Sequence, residues 1–360
     1  MRILQIIQKK QFRGAEIFCC QLSNHLIRMG HEVEVCSVFD GESDLPFHKA
    51  VKSLNGNQNI RYLDYKGWRN LNEVISTYKP DLVQANAADT LKYAVFSKKI
   101  FGWKQPILYR NASISSFYIN DAFTKKINSF LLESVDGIIS VSRFSKDDLS
   151  YLFPVTEHKT EVIPIGIEED ETDTAPMEIH EFKSNRINLV HVGSLTQEKN
   201  HFGLLEIFQI ILEDCQDAHL HIIGEGPLKS AISKKIGELG LEHNISLHGE
   251  MKDPFRYIAQ ADVLLLPSLI EGLPAVILEA MYCKTPVVAY NVGGISEIMN
   301  KHTGYLIEKG EQEAFKNAVL EILAARPEEK IENAYKMVKA EYMNEKIALK
   351  FEEVYRRLLE

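Results

Sequence analysis

The sequence contains no CxxC pair, and its five cysteines, Cys19, Cys20, Cys36, Cys215 and Cys283, are odd in number and scattered. That excludes a disulfide framework and a paired-thiolate zinc site, and it reads the thiols as small apolar groups in a reducing compartment. No apolar run approaches the roughly 20 residues of a membrane-spanning helix. The first run, residues 3–7, is broken by Gln5 and followed by Lys9-Lys10. It is too short for a signal-peptide core and predicts a strand instead. There is no internal repeat, no low-complexity tract and no G-x-S-x-G elbow, which removes solenoids and hydrolases of that type. The expectation is a soluble cytoplasmic protein with no metal, no cofactor and no nucleic-acid partner.

What is present is an ordinary globular composition, 45% hydrophobic and 25% charged, over 360 residues. That length exceeds one ordinary core and suits two domains. The net charge of −9 is unevenly spread. Residues 1–150 carry 20 Lys and Arg against 15 Asp and Glu, and the remainder 21 against 35. The excess of base in the first half suits an anionic surface or acceptor. Residues 98–104, Lys98-Lys99-Ile100-Phe101-Gly102-Trp103-Lys104, mix bases with bulky aromatics in the manner of a headgroup interface, the alternative being ordinary burial of Phe101 and Trp103. Peripheral contact with an anionic membrane, at the inner face of the plasma membrane, is the corresponding expectation.

Strand-like and helix-like stretches alternate. Residues 2–7 read as a strand and 8–14 as a loop, before a helix in which Ala15, Phe18, Cys19, Leu22, Leu26 and Met29 recur at steps of three and four. Gly30 stops that helix, and residues 32–38 alternate as the next strand. Further strands are predicted at 82–84, 107–109, 137–141 and 161–163. A second series comes at 188–192, 219–223, 245–248, 262–266 and 287–289. Residues 168–185, which open on Glu168-Glu169-Asp170-Glu171, are poor in apolar groups and read as a solvated linker.

The predicted class is therefore α/β, with two Rossmann-like doubly wound domains facing across a cleft. Residues 1–167 form the first domain, 168–185 the linker and 186–335 the second. Residues 336–360 form a helix expected to pack back toward the first domain. Ligands of such sheets bind at the carboxyl ends of the strands, so the site is expected between the domains.

The segment richest in chemistry lies just after the strand at 262–266 and reads Glu271-Gly272-Leu273-Pro274, with Glu279 eight residues beyond Glu271. Gly272 allows close backbone approach, and Pro274 fits the first helical position, leaving the helix start open to an anion. Eight helical residues span about 12 Å, which suits two carboxylates gripping opposite ends of one extended ligand. That is too far apart for a paired acid and base on one bond. Lys199, on the loop Gly193-Ser194-Leu195-Thr196-Gln197-Glu198-Lys199-Asn200, can reach a diphosphate and stabilise the charge that develops as it leaves. Gly14 opens the first helix, where backbone N–H groups could meet phosphates. Gly224 and Gly226 suggest a dinucleotide loop, but no third glycine comes at the spacing of an NAD site. His219 and His221 share one face of a strand without an evident third ligand and read as structural rather than metal-binding. The sequons at Asn111 and Asn244 carry no weight in a cytoplasmic protein.

Glu271…Glu279 resembles the E-x7-E motif of retaining glycosyltransferases of the two-domain GT-B fold, in the group called family 4 or group 1. Thr285-Pro286-Val287-Val288-Ala289, Gly293-Gly294-Ile295-Ser296-Glu297-Ile298, Gly224-Glu225-Gly226-Pro227 and Arg13-Gly14-Ala15-Glu16 resemble the same family, in order along most of the chain. The resemblance implies metal-independent transfer of a hexosyl group, with retention, from a UDP- or GDP-linked sugar to a glycan or lipid-linked acceptor hydroxyl. Bacterial envelope, lipopolysaccharide or exopolysaccharide synthesis is the implied setting. It implies Glu271 beside the donor sugar and Glu279 on the ribose, with Glu271 and Lys199 as the catalytic pair. Gly14, Gly193, Ser194, Gly224, Met251, Gly272, Leu273 and Pro274 would complete the donor site, Met251 lying where relatives contact the base. Ser194 stands where the family often has arginine, and Tyr109-Arg110-Asn111 where many relatives have a histidine. Arg110 and Asn111 are then expected to contact sugar or acceptor. The alternatives on this architecture are a catalytically weak nucleotide-sugar-binding subunit and a nucleotide-sugar epimerase. A glycosyl phosphorylase would need a pyridoxal-phosphate lysine and a longer chain.

Overall fold

The computed structural model describes residues 1–60, 62–169, 182, 186–251 and 253–360. Within the expected linker, 170–181 and 183–185, Asp170 and Glu171 among them, lie outside the described residues. Two compact units result, one of Met1–Glu168 with Met343–Glu360, the other of Glu169–Tyr342.

The first unit is built on a parallel sheet of β1 (Arg2–Lys9), β2 (Glu32–Phe39), β3 (Lys52–Ser53), β4 (Leu82–Ala85), β5 (Ile107–Asn111), β6 (Gly137–Ser140) and β7 (Thr160–Val162). Their order is β3-β2-β1-β4-β5-β6-β7. The second unit carries β8 (Ile187–Val192), β9 (Ala218–Ile223), β10 (Ile245–Gly249), β11 (Val263–Leu266), β12 (Val287–Tyr290) and β13 (Tyr305–Ile307), ordered β10-β9-β8-β11-β12-β13. Both orders reverse direction once, at β1/β4 and at β8/β11, the topological switch point of doubly wound sheets. Among the described residues, neighbouring strands in both sheets pair parallel, as helical crossovers require.

Strands covered on both faces should be apolar throughout, and Leu264, Leu265, Leu266, Val287, Val288 and Ala289 are buried accordingly. β1 breaks that rule at Gln5, which is buried in a closed ring of hydrogen bonds. Gln5 Nε2 donates to Tyr355 Oη (3.2 Å), Tyr355 Oη to Gln84 Oε1 (2.6 Å), Gln84 Nε2 to Asn86 Oδ1 (2.8 Å), and Asn86 Nδ2 back to Gln5 Oε1 (2.9 Å). Each polar group offsets its burial with a partner, which is why amides survive in this core.

Tyr355 comes from the helix Asn344–Leu359, which packs along the helix Gly14–Arg28 and sets Phe351 against Phe18 with ring centroids 5.9 Å apart. The chain re-enters this unit through a bridge between Ile167 and Met343, where Asn344 N donates to Ile167 O (2.9 Å). Re-entry thus begins at Met343, seven residues beyond the expected 336, because the helix Glu328–Glu341 belongs to the second unit. Among the described residues, no helix is long and apolar enough to cross a membrane.

Candidate active site

In the second unit the loops leaving β8, β9, β10, β11 and β12 are laced to one another at the carboxyl edge of the sheet. Gly193 N donates to Ile223 O (3.0 Å), Leu195 N to Glu225 O (2.9 Å) and Gly224 N to Gly249 O (2.8 Å). Gly224 has φ +145°, and a Cβ there would strike the Gly193 carbonyl oxygen. Gly293 has φ +56°, and a Cβ there would strike the carbonyl oxygen of Glu271, which also accepts from Gly294 N (3.4 Å). These two glycines are fixed by close backbone approach, not by flexibility.

The β8 and β11 loops meet at the switch point through three bonds. Leu269 N donates to Glu198 O (2.8 Å), Asn200 Nδ2 to Pro267 O (3.0 Å) and Lys199 Nζ to Glu271 Oε1 (2.6 Å). Asn200 takes the left-handed conformation (φ 55°), and its Oδ1 accepts Gly203 N (3.3 Å), capping the helix His201–Asp214. One asparagine therefore starts that helix and ties the lysine loop to the glutamate loop. Glu271 is 6% exposed. Of the three ammonium donors of Lys199, one is taken by the carboxylate, and the rest can serve an anion.

Behind this pair lie His191 and His201, both buried, edge to face with centroids 4.9 Å apart. His191 Nδ1 is 2.8 Å from Leu265 O and so carries the proton. Burial first, then the neighbouring positive charge, pushes His191 down to about 3 and His201 to about 4. Both rings are neutral near pH 7, leaving Lys199 as the charge of this loop. Sequence reasoning missed them, although a histidine within an apolar strand and an asparagine preceding an apolar helix were visible signals.

The helix Ala275–Tyr282 starts one residue later than expected. Pro274, with ψ 115°, is its cap rather than its first residue, and no side chain caps it. The correction keeps the open end: Ala275 and Val276 head a helix whose first N–H groups have no side-chain acceptor. Glu279 is half-buried in that helix, and burial followed by the nearby Asp253 raises its carboxyl to about 7. Ser194 and Met251 are half-buried on the β8 and β10 loops, and Gly272 and Leu273 adjoin Glu271. His221, on β9, is spent on His248 (3.0 Å) and Asn188 (3.2 Å). Among the described residues, no group of three or more His, Cys, Asp or Glu could hold a metal ion.

In the first unit, Gly14 is the first residue of an exposed helix start with no side-chain cap, and a Cβ there would meet nothing within 4 Å. Arg110 and Asn111 are both buried. Arg110 is 2% exposed, its guanidinium 4.3 Å from the centre of the Phe18 ring, and burial lowers it to about 10. Asn111 Nδ2 donates to Ser145 O (3.2 Å) and Ser140 Oγ (3.3 Å), joining β5 to β6 and the helix Arg143–Leu152. Neighbours distant in sequence thus close over the end of β5, and Arg110 Nη1 and Asn111 Oδ1 are left buried without a hydrogen-bond partner among the described residues. Trp103 is likewise buried, its indole donating to Ser97 Oγ (3.1 Å), so the segment 98–104 does not offer that aromatic to a membrane.

What this unit does offer is an open cavity of ≈ 470 Å³ at the carboxyl ends of β1, β4 and β5, lined in part by Gln8, Asp89, Lys92, Tyr109, Ser113 and Tyr118. Its polar floor is a buried pair: Lys92 Nζ lies 2.8 Å from Asp89 Oδ1, and Gln8 Nε2 donates to Asp89 Oδ2 (2.8 Å).

Two family models match, one described as Glycosyltransferase Family 4 over residues 12–171, the other as Glycosyl transferases group 1 over residues 173–337. The chain is 28% identical over 233 residues to an uncharacterized glycosyltransferase of Methanocaldococcus jannaschii, covering 60% of this chain and 57% of that protein. It is 26% identical over 251 residues to N-acetylgalactosamine-N,N'-diacetylbacillosaminyl-diphospho-undecaprenol 4-alpha-N-acetylgalactosaminyltransferase of Campylobacter jejuni, covering 68% of this chain and 67% of that protein. Among solved structures, HepE of Anabaena, in complex with UDP and glucose, superposes with a TM-score of 0.83 at 20% identity over 99% of this chain and 100% of that one. At that identity the likeness speaks for the fold alone. With both units matched by the family's models and both sheets wound alike, the chain belongs to the group 1, family 4 glycosyltransferases of GT-B fold.

Proposed function

We propose that this chain is a retaining glycosyltransferase that takes its sugar from a UDP- or GDP-linked donor held at the carboxyl edge of the second sheet. The observation that carries the reading is the Lys199–Glu271 pair, seated at the switch point beside an uncapped helix start. A diphosphate set against that helix start gains its N–H groups and the positive end of the dipole, with Lys199 as a mobile countercharge. Glu271 then lies beside the sugar and Glu279 takes the ribose hydroxyls, with Met251 near the base. The solved complexes of HepE with UDP and with UDP-glucose support a donor of this kind.

In the reaction the bond between the anomeric carbon and the β-phosphate oxygen breaks, and the acceptor oxygen bonds to the same face of that carbon. The acceptor proton passes to the departing phosphate. Such a step depends on preorganised positive charge more than on a strong base, and Lys199 with the helix N–H groups supplies it without a metal ion. The acceptor, a glycan or lipid-linked hydroxyl of the bacterial envelope, takes the cavity of the first unit, where the Asp89–Lys92 pair and the tyrosines suit a sugar ring. The Campylobacter relative, named for a diphospho-undecaprenol substrate, favours the lipid-linked form and a cytoplasmic enzyme working at the inner membrane face.

Calorimetric titration with UDP, GDP and their sugar derivatives tests the donor site. One nucleoside diphosphate binds the wild type, with or without EDTA, and binds Lys199→Ala at least tenfold more weakly. If no nucleoside diphosphate binds, the donor site assignment is wrong.

A further inference from the structure

Behind the Lys199–Glu271 pair, the second unit breaks a rule that its other described residues keep. Four of its buried side-chain polar atoms have no hydrogen-bond partner among the described residues, and all four belong to His191, His201 and Ser268. They are His191 Nε2, both ring nitrogens of His201, and Ser268 Oγ, on residues no more than 1% exposed. The Thr196 backbone lies near the His201 ring but makes no bond of normal geometry with it. The three residues belong to one junction. His191 is on β8, His201 heads the helix that follows, and their rings pack edge to face. Ser268 stands between Pro267, whose carbonyl accepts from Asn200, and Leu269, whose N–H donates to Glu198. A buried polar atom left unpaired costs about 1–3 kcal/mol. A cluster of them, set on the very loops that carry the reacting pair, calls for a partner that comes only in another state of the site.

The chemistry of the cluster says what kind of partner. The proton of His191 is spent on Leu265 O through Nδ1 (2.8 Å), so Nε2 presents a lone pair. His201 is neutral near pH 7 and has one bare nitrogen, and a serine hydroxyl accepts as well as donates. Bare acceptors without charge suit a cation that carries several donors; they do not suit a phosphate. Lys199 is at hand. A Cβ placed on Gly193 would stand 3.4 Å from His191 Nε2 and 3.5 Å from Lys199 Cγ and Cδ. Only the missing side chain of Gly193 therefore separates the ring nitrogen from the lysine stem.

We infer that Lys199 has two stations, Glu271 before the donor binds and His191 afterwards, and that His191 is a positioning residue acting through this lysine. In the ligand-free protein Nζ is held 2.6 Å from Glu271 Oε1. A diphosphate competes with that carboxylate for the ammonium. As Nζ turns to the phosphate, His191 Nε2 accepts a second of its N–H groups, and the carboxylate of Glu271 is released toward the sugar. A protonated histidine would repel the ammonium; burial and the bond to Leu265 keep the ring neutral and its lone pair in place. His201 and Ser268 make the wall of this station polar, which lowers the cost of drawing a charge inward. The inference rests on the proposed donor site for its trigger, but not for the existence of the second station.

Nitrogen-15 spectra of the histidines in the full chain test that station without a nucleotide. Glu271→Ala removes the first station. The His191 Nε2 resonance should then move to the position of a hydrogen-bonded acceptor, and in Glu271→Ala/Lys199→Ala it should stay where the wild type has it. An unmoved resonance in Glu271→Ala would overturn the proposal. The second test titrates variants of His191 with UDP and with GDP. His191→Asn keeps a donor for Leu265 O and lacks the far acceptor, whereas His191→Gln keeps the far acceptor and lacks that donor. Nucleotide binding should weaken about tenfold in His191→Asn and about twofold in His191→Gln. In a Lys199→Ala background His191→Asn should cost nothing further, because the two residues act as one unit. A histidine that only braces the strand would reverse the order of the two variants, or cost as much with Lys199 as without it, and either result overturns the proposal. If neither UDP nor GDP binds the wild type, the donor reading falls, and the Glu271→Ala spectra still decide this one.

Discussion

Gly293 in the second unit sits on the loop after β12 and Gly14 in the first heads the helix that follows β1, and they answer to different neighbours. A side chain at Gly293 has no room, because the backbone of Glu271 passes against it; a side chain at Gly14 meets nothing. The contrast holds more widely. The second unit keeps its chemistry in loops whose shape is set by backbone bonds, so Lys199 and Glu271 are positioned before any ligand arrives. The first unit turns its polar groups inward, in the Gln5–Tyr355–Gln84–Asn86 ring and at Arg110, and leaves apolar ones outside.

The sharpest way to break that contrast is Glu271→Ala. Losing the carboxylate frees Lys199 and, on the proposed reading, removes the group beside the sugar, so transfer to a cognate acceptor should fall about a hundredfold with the melting temperature little changed. A rate within twofold of wild type would show that the preset pair is not the reacting centre. In the first unit the equivalent blow is Tyr355→Phe. It orphans Gln84 Oε1 and Gln5 Nε2 and should cost about 1–3 kcal/mol in urea unfolding, while nucleotide affinity stays as it was. If affinity fell as well, the duties of the two units would not be separate.

Glu279→Gln sharpens the contrast through pH. The carboxyl of Glu279 binds its proton more tightly in the folded protein than its ordinary 4.5 allows, at about 7. Between those values the folded state holds more protons, so stability from this group is intact below pH 4.5 and declines as pH rises toward 7. The substitution should therefore raise the melting temperature at pH 8, by about 2–4 °C, and leave it unchanged at pH 4. Nucleotide affinity of the wild type should drop as pH falls below 7, when the ribose loses its charged acceptor, and the variant should lose that dependence. The smallest effect belongs to Gly14→Ala, for which melting temperature should stay within a degree or rise slightly, since alanine is the better helix residue. A marked loss of transfer alone in that variant would assign the helix start to a ligand.

Apolar periodicity located the long strands and the doubly wound class, because buried parallel strands are uniformly apolar. β3 and β13, of two and three residues, are too short to show any period. Lys199 and Glu271 could be singled out because glycine, proline and charge cluster on loops that follow buried strands, and the fold sets those two side chains 2.6 Å apart. The burial of Arg110 was not legible, because what covers it, Phe18 on another helix, is remote in sequence. Trp103 could be read either as buried or as facing a membrane, and its partner Ser97, on the helix that precedes it, decides for burial. Phe123, Ile127, Phe130 and Leu131 would pass for one core-facing stripe from spacing alone. Only the fold shows that the two phenylalanines point outward.

The return of the chain at Met343 has a consequence for synthesis. Every residue of the second unit has been translated before the helix that completes the first unit is made. Until Tyr355 emerges, Gln5, Gln84 and Asn86 lack their closing partner, and the groove where Phe351 will lie against Phe18 is uncovered. Vectorial folding, in which the earlier unit finishes first, is not open to this chain: the first unit waits for residues made after the whole of the second. A chain cut at residue 342 would thus carry every residue of the second unit joined to a first unit whose core is still open.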